Sequence, residues 1–441
     1  MFTATYWLRH WRLLPFFLSF FLLYGLCALF LSHACFSDPS SLFWRPEQAL
    51  QLSYSAVRRE QARRFADEAR VLDQVKWDNT TMPQLCLGIG SVSRHGFSYL
   101  QDTLGSLLEG LDELERRQIY LVVFLAHSNQ SKHEDSSAVW LHNMVDSLPA
   151  YPDNPQLLEL LETLEDDDSY PAHARKQKID YSVLLDECAK VQPAYTATLE
   201  DDVIALDGWF HRLLDALRKA ERQTQDMGRD HFLYLRIFND SRLLGWNSEE
   251  WHYYVGASTL FMLVNIALIL GSRRYSQRFR TLTPAIVVAF LCTVCVPMMI
   301  LLFFAAGRDC VLPKREGVNL TQKYGCCAQG LVMPQQQIEE NILPLYRDTT
   351  DSHAAVDTFL EDYANANDEL RWAITPNLIQ HVGRKSTHKA DDDGSEGQIT
   401  GSMPFSYNFE TNNPEKLAQE HLIWIENLKR QQLKQLTISI S

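Results

Sequence analysis

The sequence predicts an α/β domain with three membrane-spanning helices, one near the N-terminus and two forming a hairpin inserted into the domain. Residues 13–31, 253–271 and 282–306 are apolar runs that contain no Asp, Glu, Lys or Arg. Before the hairpin, continuous apolar runs alternate with helical patterns, which favours a sheet dominated by parallel strands and flanked by helices. The fold class is therefore α/β with three membrane spans.

The first apolar run indicates an uncleaved membrane anchor. Residues 13–31 are rich in Phe and Leu and follow Arg9, His10 and Arg12, so residues 1–12 are expected in the cytosol. A cleaved signal peptide is the alternative, but its apolar core is usually only about 7–15 residues long. We expect an anchor followed by a luminal stem over residues 32–84.

The second and third runs form the hairpin. Each is long enough to cross a bilayer, which takes about 20 apolar residues. Residues 272–281 between them carry four arginines, and the positive-inside rule assigns such a loop to the cytosol. Residues 85–252 and 307–441 should then share the lumen as two parts of one domain. Four glycosylation sequons are consistent with that side: Asn79, Asn129, Asn239 and Asn319.

Charge and cysteine content narrow the class further. The net charge of −14 argues against a nucleic-acid partner, which needs a basic face. Six of the nine cysteines lie in the predicted luminal parts, where disulfides form, but the sequence leaves their pairing open. These are Cys35, Cys86, Cys188, Cys310, Cys326 and Cys327.

The luminal elements follow from apolar patterning. Strands are predicted at Leu85–Gly90, Ile119–Ala126, Tyr195–Leu199 and Phe232–Phe238. Helical spacing covers 99–114 and 175–190, whereas the acidic stretch that contains residues 165–168 is expected to be a solvated loop. Ligands of doubly wound parallel sheets bind at the carboxyl ends of the strands.

One predicted strand end carries an acidic triplet. Tyr195–Leu199 runs directly into Glu200, Asp201 and Asp202. Clustered carboxylates repel one another unless a cation stabilises them, and Mn²⁺ and Mg²⁺ prefer such oxygen ligands. Strand alternation places Glu200 and Asp202 on one side and Asp201 on the other. The alternative is an acidic turn that leads into a helix near residue 207.

These motifs carry a resemblance to known families. The anchor, the sheet and the strand-end triplet resemble Golgi glycosyltransferases of the GT-A fold, in which a DxD-like motif holds the metal and the nucleotide sugar. The stretches Lys176–Tyr181 and Leu378–Gly383, with the triplet, are similar to the N-glycan N-acetylglucosaminyltransferase IV group. The inserted hairpin resembles the GPI-anchor N-acetylgalactosamine transferases of the post-GPI-attachment-to-proteins family. The acidic insert at 151–168 and the tail that ends at Ser441 have no counterpart in that resemblance.

The resemblance implies an activity and a location. It implies transfer of N-acetylgalactosamine from UDP-GalNAc to a core mannose of GPI anchors, with Mn²⁺ or Mg²⁺, by a luminal domain in the Golgi membrane. A domain held at the bilayer meets a lipid-linked glycan at high effective concentration, which gives the hairpin a role beyond retention. The alternatives are a different Golgi transferase that acts on N-glycans or other glycoproteins, and a non-catalytic scaffold subunit.

The resemblance also implies a metal site. Asp202 is the expected metal ligand, with Glu200 and Asp201 directed toward ribose and metal-bound water. His381, within the second stretch, is expected as a further metal or diphosphate ligand, although a single histidine is commonly structural.

Further residues are expected around the nucleotide and the acceptor. Val92 and Arg94 follow the first strand where this fold receives the base, and Lys176 and Asp180 are expected to support the nucleotide. Asp357, after the hairpin, is the expected catalytic base. It is preferred to Asp351 and Glu361, and the alternative is a carboxylate on a solvated helix face.

Overall fold

The computed structural model describes residues 14–94, 97–321, 325, 327–348, 354–384 and 403–440, the last ten by their backbone. The chain divides into two compact units. One unit comprises residues 1–50 and 241–314, and the other comprises residues 51–240 and 315–441. Segments before and after the predicted hairpin therefore fold together in the larger unit.

The elements alternate between helix and strand through most of the chain. The strands are β1 Leu85–Ser91, β2 Ile119–Leu125, β3 Tyr195–Glu200, β4 Val203–Ala205, β5 Tyr234–Arg236, β6 Gly317–Leu320, β7 Gly330–Pro334, β8 Arg371–Thr375 and β9 Ile379–His381. The helices are α1 Leu14–Ala34, α2 Pro46–Ala49, α3 Ser53–Glu68, α4 Leu100–Leu108, α5 Glu113–Arg116, α6 Val139–Met144, α7 Pro155–Glu165, α8 Tyr170–Ala189, α9 Trp209–Asp226, α10 Trp251–Tyr275, α11 Gln277–Leu282, α12 Ala285–Phe290, α13 Val296–Ala305, α14 Arg308–Val311, α15 Gln335–Gln337, α16 Leu343–Asp348, α17 Val356–Ala366, α18 Tyr407–Glu410 and α19 Pro414–Ile440.

A seven-stranded sheet in the order β2-β1-β3-β7-β5-β8-β6 forms the centre of the larger unit. The pairs β1–β2, β1–β3 and β5–β8 are parallel, and the pairs β3–β7, β5–β7 and β6–β8 are antiparallel. Five of the seven strands therefore point the same way, with β7 and β6 reversed. The predicted α/β architecture is confirmed, and β1 and β3 are neighbours at the centre of the parallel part of the sheet.

The sheet draws strands from both sides of the hairpin. Strands β1 to β5 precede it and β6 to β9 follow it, with β7 lying between β3 and β5. A small second sheet pairs β4 with β9, so that Val203 lies opposite His381. This pairing brings the predicted 378–383 segment to the end of β3.

Two predicted boundaries shift for local reasons. The helix expected over 99–114 ends at Leu108, because Gly110 adopts a φ of 86° and Asp112 starts a new turn. The Asp112 side chain caps α5 while the Glu115 side chain accepts from the Asp112 backbone, which is a capping box. The helix expected over 175–190 begins earlier, at Tyr170, because Ser169 caps it.

Two predictions about loops and stem need correction. The acidic stretch contains helix α7, whose Leu161 and Leu164 are buried, while other side chains of the helix and residues 166–168 just beyond it are exposed. The predicted stem at residues 32–84 is not a spacer throughout, because α3 packs on α4. Its Arg58 is buried and donates from Nε to the Ala205 carbonyl at 3.1 Å.

Two disulfides settle pairings that the sequence left open. Cys86 on β1 bonds to Cys188 on α8, which fastens a helix to the central strand. Cys35 bonds to Cys310, which joins the end of α1 to the segment after the hairpin within the smaller unit. Cys326 lies outside the described residues.

The smaller unit holds three helical segments long and apolar enough to cross a membrane: Leu14–Ala34, Ser241–Tyr275 and Ala285–Ala305. The third contains a π-helical segment at Leu291–Cys295, just before Pro297, whose missing N–H breaks the regular ladder. Trp246 Nε1 donates to the Phe304 carbonyl at 3.0 Å, so the two ends of the hairpin lie side by side. The protein is therefore a membrane protein with a paired hairpin.

Candidate active site

The acidic triplet lies where β3 ends beside β1. Gly90 pairs with Glu200, so the residues that follow both strands meet at one edge of the sheet. Thr103 Oγ1 donates to the Asp201 carbonyl at 2.6 Å, and Val382 N donates to the Asp202 carbonyl at 2.9 Å. The backbone of the turn is thus held by a side-chain hydroxyl of α4 and by a backbone N–H just after β9.

Asp201 is committed to an internal ion pair. It is only 2% exposed and accepts from Arg94 Nη1 and Nη2 at 2.7 Å each, and from the Ser91 hydroxyl. Arg94 Nη2 also lies 3.5 Å from Asp202 Oδ2. A bidentate pair of this kind fixes the guanidinium plane, so Asp201 orients Arg94. This geometry differs from the expectation that Asp201 itself faces ribose.

Glu200, Asp202 and His381 form a cluster on the other side of the turn. One ligand atom from each lies within 4.8 Å of the others. His381 Nε2 is 3.4 Å from Asp202 Oδ2, and Gln329 Nε2 donates to Glu200 Oε2 at 3.0 Å. The alternation expected from the strand therefore holds: Glu200 and Asp202 converge while Asp201 turns away.

The pKa values of the cluster reflect its burial and charge. Burial and then the charge of Asp202 raise the pKa of Glu200 to about 7. Burial would raise the pKa of Asp202, but His381 and then Arg94 lower it to about 2. Burial would lower the pKa of His381, but Asp202 raises it to about 9. The pKa values of Glu200 and Asp202 are thus driven apart, as is usual for two carboxylates that share one site.

The donor set fits a divalent cation. Asp202 Oδ1 is buried and has no hydrogen-bond partner, although Asp202 is ionised. His381 Nδ1 lies 3.2 Å from the Pro404 carbonyl, to which it can donate, so Nε2 is the nitrogen that faces the cluster and that would bind a cation by giving up its proton. A backbone acceptor behind a ligating histidine is the usual support of a metal site. Two carboxylates and one imidazole suit Mn²⁺ or Mg²⁺.

Gly383 packs directly against this cluster. A Cβ at that position would lie 2.1 Å from Asp202 Oδ2 and 3.0 Å from His381 Nε2. Only a residue without a side chain therefore lets the segment after β9 approach the carboxylate. The sequence segment that contains Gly383 was recognised by resemblance, but the reason for the glycine appears only in the structure.

A cavity opens beside the triplet. It measures about 350 Å³, and its lining includes Val92, Arg94, Asp180 and the three acidic residues 200–202. A neighbouring cavity of about 590 Å³ shares Val92 and Asp180 and adds Lys176. Volumes of this size accommodate small-molecule ligands. The residues predicted to bind the nucleotide come from three separate stretches of the chain and therefore line two neighbouring cavities.

Lys176 supports the cavity wall from behind. It is buried, and its ammonium donates to the Ala126 carbonyl at 2.7 Å, to the Tyr151 hydroxyl at 3.1 Å and to Asp180 Oδ2 at 2.9 Å. All three N–H groups thus have internal acceptors. Burial raises the pKa of Asp180, which Lys176 opposes. The lysine therefore holds Asp180 in place at the cavity.

The predicted base is not among the residues that line the cavity of the triplet, although Ala355, two residues before it, lines the neighbouring cavity. Asp357, at the start of α17, accepts from Cys327 N at 3.2 Å and from Thr358 N at 2.7 Å. Its alternative Glu361 is buried and bridges Arg236 at 2.8 Å and Arg371 at 2.6 Å, so its role is structural. Asp351 is outside the described residues.

Sequence reasoning missed several contributors. Ser91 holds the middle carboxylate of the triplet and Gln329 holds the first, and Gln177 and Tyr181 line the cavity. Ser91 ends the first strand, so its position at the sheet edge was accessible from the pattern. Gln329 comes after the hairpin, and no motif connects it with Glu200.

Comparison with known proteins finds similarity to glycosyltransferases. The chain is 30% identical over 136 residues to "Alpha-1,3-mannosyl-glycoprotein 4-beta-N-acetylglucosaminyltransferase B" of Danio rerio, which covers 29% of this chain and 24% of that protein. It is 31% identical over 128 residues to the corresponding transferase C of Sus scrofa, with 27% of each chain covered. The chain thus spans only about a quarter of the length of these relatives.

These relatives are glycosyltransferases, and a broader match identifies the family of this chain. The family model described as "GPI-N-acetylgalactosamine transferase PGAP4" matches residues 85–380, across the hairpin and both parts of the sheet. The chain belongs to that family.

Proposed function

We propose that this protein transfers N-acetylgalactosamine from UDP-GalNAc to a core mannose hydroxyl of GPI anchors. The observation that carries the proposal is the Glu200–Asp202–His381 cluster, with its unpartnered Asp202 oxygen, beside the cavity inside the family match. A GT-A-like donor site is the arrangement that such a cluster supports. The family description supports N-acetylgalactosamine as the transferred sugar and GPI as the acceptor.

The protein's own residues have distinct roles in this proposal. Glu200, Asp202 and His381 hold the cation, and Arg94, oriented by Asp201, faces the phosphates. When bound, Mn²⁺ or Mg²⁺ supplies positive charge that stabilises the departing diphosphate. Val92 and Asp180 contact the nucleotide, with Lys176 fixing Asp180.

The transfer itself is a substitution at the anomeric carbon. The acceptor hydroxyl oxygen bonds to that carbon as the bond to the diphosphate oxygen breaks, and UDP leaves. A carboxylate takes the hydroxyl proton, and we propose Asp357 for this role. The backbone N–H groups of Cys327 and Thr358 hold the Asp357 carboxylate at the start of α17. The transition state resembles an oxocarbenium ion, as in glycoside hydrolysis.

The location in the cell is part of the same proposal. We place the catalytic unit in the Golgi lumen, with residues 1–12 and 272–281 in the cytosol. Asn79 is exposed and lies in a sequon, so its glycosylation reports its side of the membrane. We expect a glycosidase-sensitive mass shift at Asn79 and another at a sequon made efficient near Asn319. Modification of one site and protection of the other would contradict a shared luminal side.

The donor is tested by UDP release from the purified full-length protein with UDP-GalNAc, and separately with UDP-GlcNAc. Because the two transferred sugars are isomers, product mass alone does not distinguish them. We expect release with UDP-GalNAc and a GPI-anchored acceptor, and its loss with a chelator. Asp202→Asn should reduce the rate by about 10²–10⁴-fold. Asp153→Asn, at an exposed carboxylate, is the matched control. Full activity in chelator would contradict the metal role.

The acceptor is tested by replacing residues 253–306 with a short linker. The linker suffices because Trp246 contacts Phe304, which brings the hairpin ends together. We expect transfer to GPI-anchored protein to fall much more than transfer to a soluble mannose-containing glycan, since only the first gains from membrane proximity. If both activities were retained, the argument from membrane proximity would be wrong. If both were lost, the hairpin would be needed for the stability of the fold.

A second acceptor class has a specific observation in its favour. The relatives named above are N-acetylglucosaminyltransferases of mannosyl glycoproteins, so an N-glycan acceptor is the competing candidate. Analysis of GPI anchors and N-glycans from cells with and without the protein separates the two. We expect the side-chain N-acetylgalactosamine of GPI anchors to disappear and the N-glycans to remain unchanged.

A further inference from the structure

A second cluster of side chains that could bind a metal lies beside the C-terminal helix, outside the proposed active site. His421 on α19 is buried between two carboxylates. Its Nδ1 lies 2.9 Å from Asp207 Oδ1, and its Nε2 lies 2.9 Å from Glu115 Oε2. Helix α19, the turn before α9 and helix α5 therefore meet at a single imidazole.

A second histidine completes the cluster. The ring of His211 on α9 stacks on His421 with centroids 5.2 Å apart, and on Trp424 with centroids 4.8 Å apart. One ligand atom each of Glu115, His211 and His421 lies within 4.8 Å of the others. The stacking fixes the plane of the His211 ring, so its nitrogens have defined directions.

Two atoms of this cluster lack hydrogen-bond partners. Glu115 is 0% exposed, and its Oε1 is buried without a partner, because the capping box and His421 both use Oε2. His211 Nδ1 is also buried without a partner. A protonated His421 by itself accounts for the two short contacts but leaves both of these atoms unsatisfied. Buried polar atoms in native proteins are generally paired, so Glu115 Oε1 and His211 Nδ1 are both expected to have a bonding partner.

We propose that Glu115, His211 and His421 form a zinc site that fastens the C-terminal helix to the catalytic unit. Two imidazoles and one carboxylate are a typical zinc donor set. Asp207, which accepts from His421 Nδ1, is the carboxylate that fixes the tautomer and directs Nε2 to the metal. His211 borders a cavity of about 730 Å³, from which solvent can supply a fourth ligand.

The site differs in kind from the cluster at the active site. Glu200, Asp202 and His381 offer two carboxylates and one imidazole, which favours Mn²⁺ or Mg²⁺, whereas the second cluster offers two imidazoles and favours Zn²⁺. The zinc site goes beyond the proposed function. It joins α5, α9 and α19, and it includes none of the residues proposed to bind the nucleotide sugar.

The test measures zinc bound to the full-length protein in detergent. Asp202→Asn serves as the background, so that the active-site cluster does not contribute. After loading with ZnCl₂ and dialysis, we expect one zinc per chain by mass spectrometry of the metal. Glu115→Gln retains an acceptor for the capping box, and His211→Phe retains the stacking ring. Each should lose the zinc, while His142→Phe, at an exposed histidine, should keep it.

Thermal unfolding provides a readout that is independent of activity. A strong chelator should lower the Tm of the Asp202→Asn protein and leave that of its His211→Phe derivative unchanged. Absence of zinc from the Asp202→Asn background overturns the proposal, as does equal zinc in the Glu115→Gln and His211→Phe forms. Either outcome leaves the transferase proposal standing, because that rests on the other cluster.

Discussion

Replacing Gly383 with alanine tests whether the segment after β9 shapes the proposed metal site. The added Cβ would lie 2.1 Å from Asp202 Oδ2 and 2.8 Å from its Cγ, whereas real Cβ atoms essentially never approach other heavy atoms closer than 3.0 Å. The carboxylate, or the backbone that carries the alanine, must therefore move by nearly an ångström. The same Cβ would sit 3.0 Å from His381 Nε2, so both ligands are displaced together.

The size of the effect follows from that displacement. A misplacement of about 1 Å in a catalytic array can cost around 10²-fold in rate. Since each tenfold is about 1.4 kcal/mol, the activation barrier should rise by about 2.7 kcal/mol. Gly383 has an ordinary φ, so alanine imposes no backbone strain. The loss should therefore appear in the rate and in the metal requirement.

The assay is UDP release by the purified protein as Mn²⁺ is titrated, with thermal unfolding measured in parallel. We expect Gly383→Ala to show a lower maximal rate and a higher Mn²⁺ concentration at half-maximal rate. Gly256→Ala is the matched control, because nothing lies within 4 Å of its added Cβ. A Gly383→Ala protein within threefold of the parent rate, with the same metal dependence, would refute this account of the site.

Three further outcomes are expected. Because burial and Asp202 raise the pKa of Glu200 to about 7, protons compete with the cation below that value, and the Mn²⁺ concentration at half-maximal rate should fall as pH rises from about 6 to about 8. Unchanged metal dependence over that range would count against it. Arg94→Lys cannot make the bidentate pair with Asp201 and should lower kcat/KM on the order of tenfold. A variant with kcat/KM equal to the parent's would show that the bidentate pair between Arg94 and Asp201 is dispensable. Serine at both Cys86 and Cys188 removes a cross-link spanning 102 residues and should lower the free energy of unfolding by about 2–5 kcal/mol, read as a lower Tm. An unaltered Tm would contradict that estimate, and the Mn²⁺ requirement should not change.

Strands β1 and β2 were predictable because burial on both faces produces continuous apolar runs, whereas the strands after the hairpin were not predicted. A short, continuous apolar run such as residues 119–126 is typical of a strand covered on both faces of a sheet. Helix α7 was missed for the opposite reason, since its many glutamates and following aspartates suggested a loop. Its leucines and its Asn154 cap, which accepts from Gln156 N at 3.0 Å, carried the helical signal.

The site was predictable only where it follows a strand end. The triplet comes directly after β3, so its place at the sheet edge followed from the pattern. His381 lies far along the chain and entered through a resemblance, and the β4–β9 pairing supplies its physical reason. The fork from Arg94 to Asp201 depends on the register between β1 and β3, and no local pattern encodes that register.

The interleaved order of the sheet has a consequence for biosynthesis. Strand β5 is made before the hairpin but reaches the sheet only through β7, which is made after it. Until Gly330–Pro334 has emerged, β3 presents an open edge to its surroundings, and such edges attract unwanted pairing. The nascent N-terminal half must therefore wait, incompletely folded, while two further helices enter the bilayer. The sheet can therefore close only after both helices of the hairpin have been synthesised.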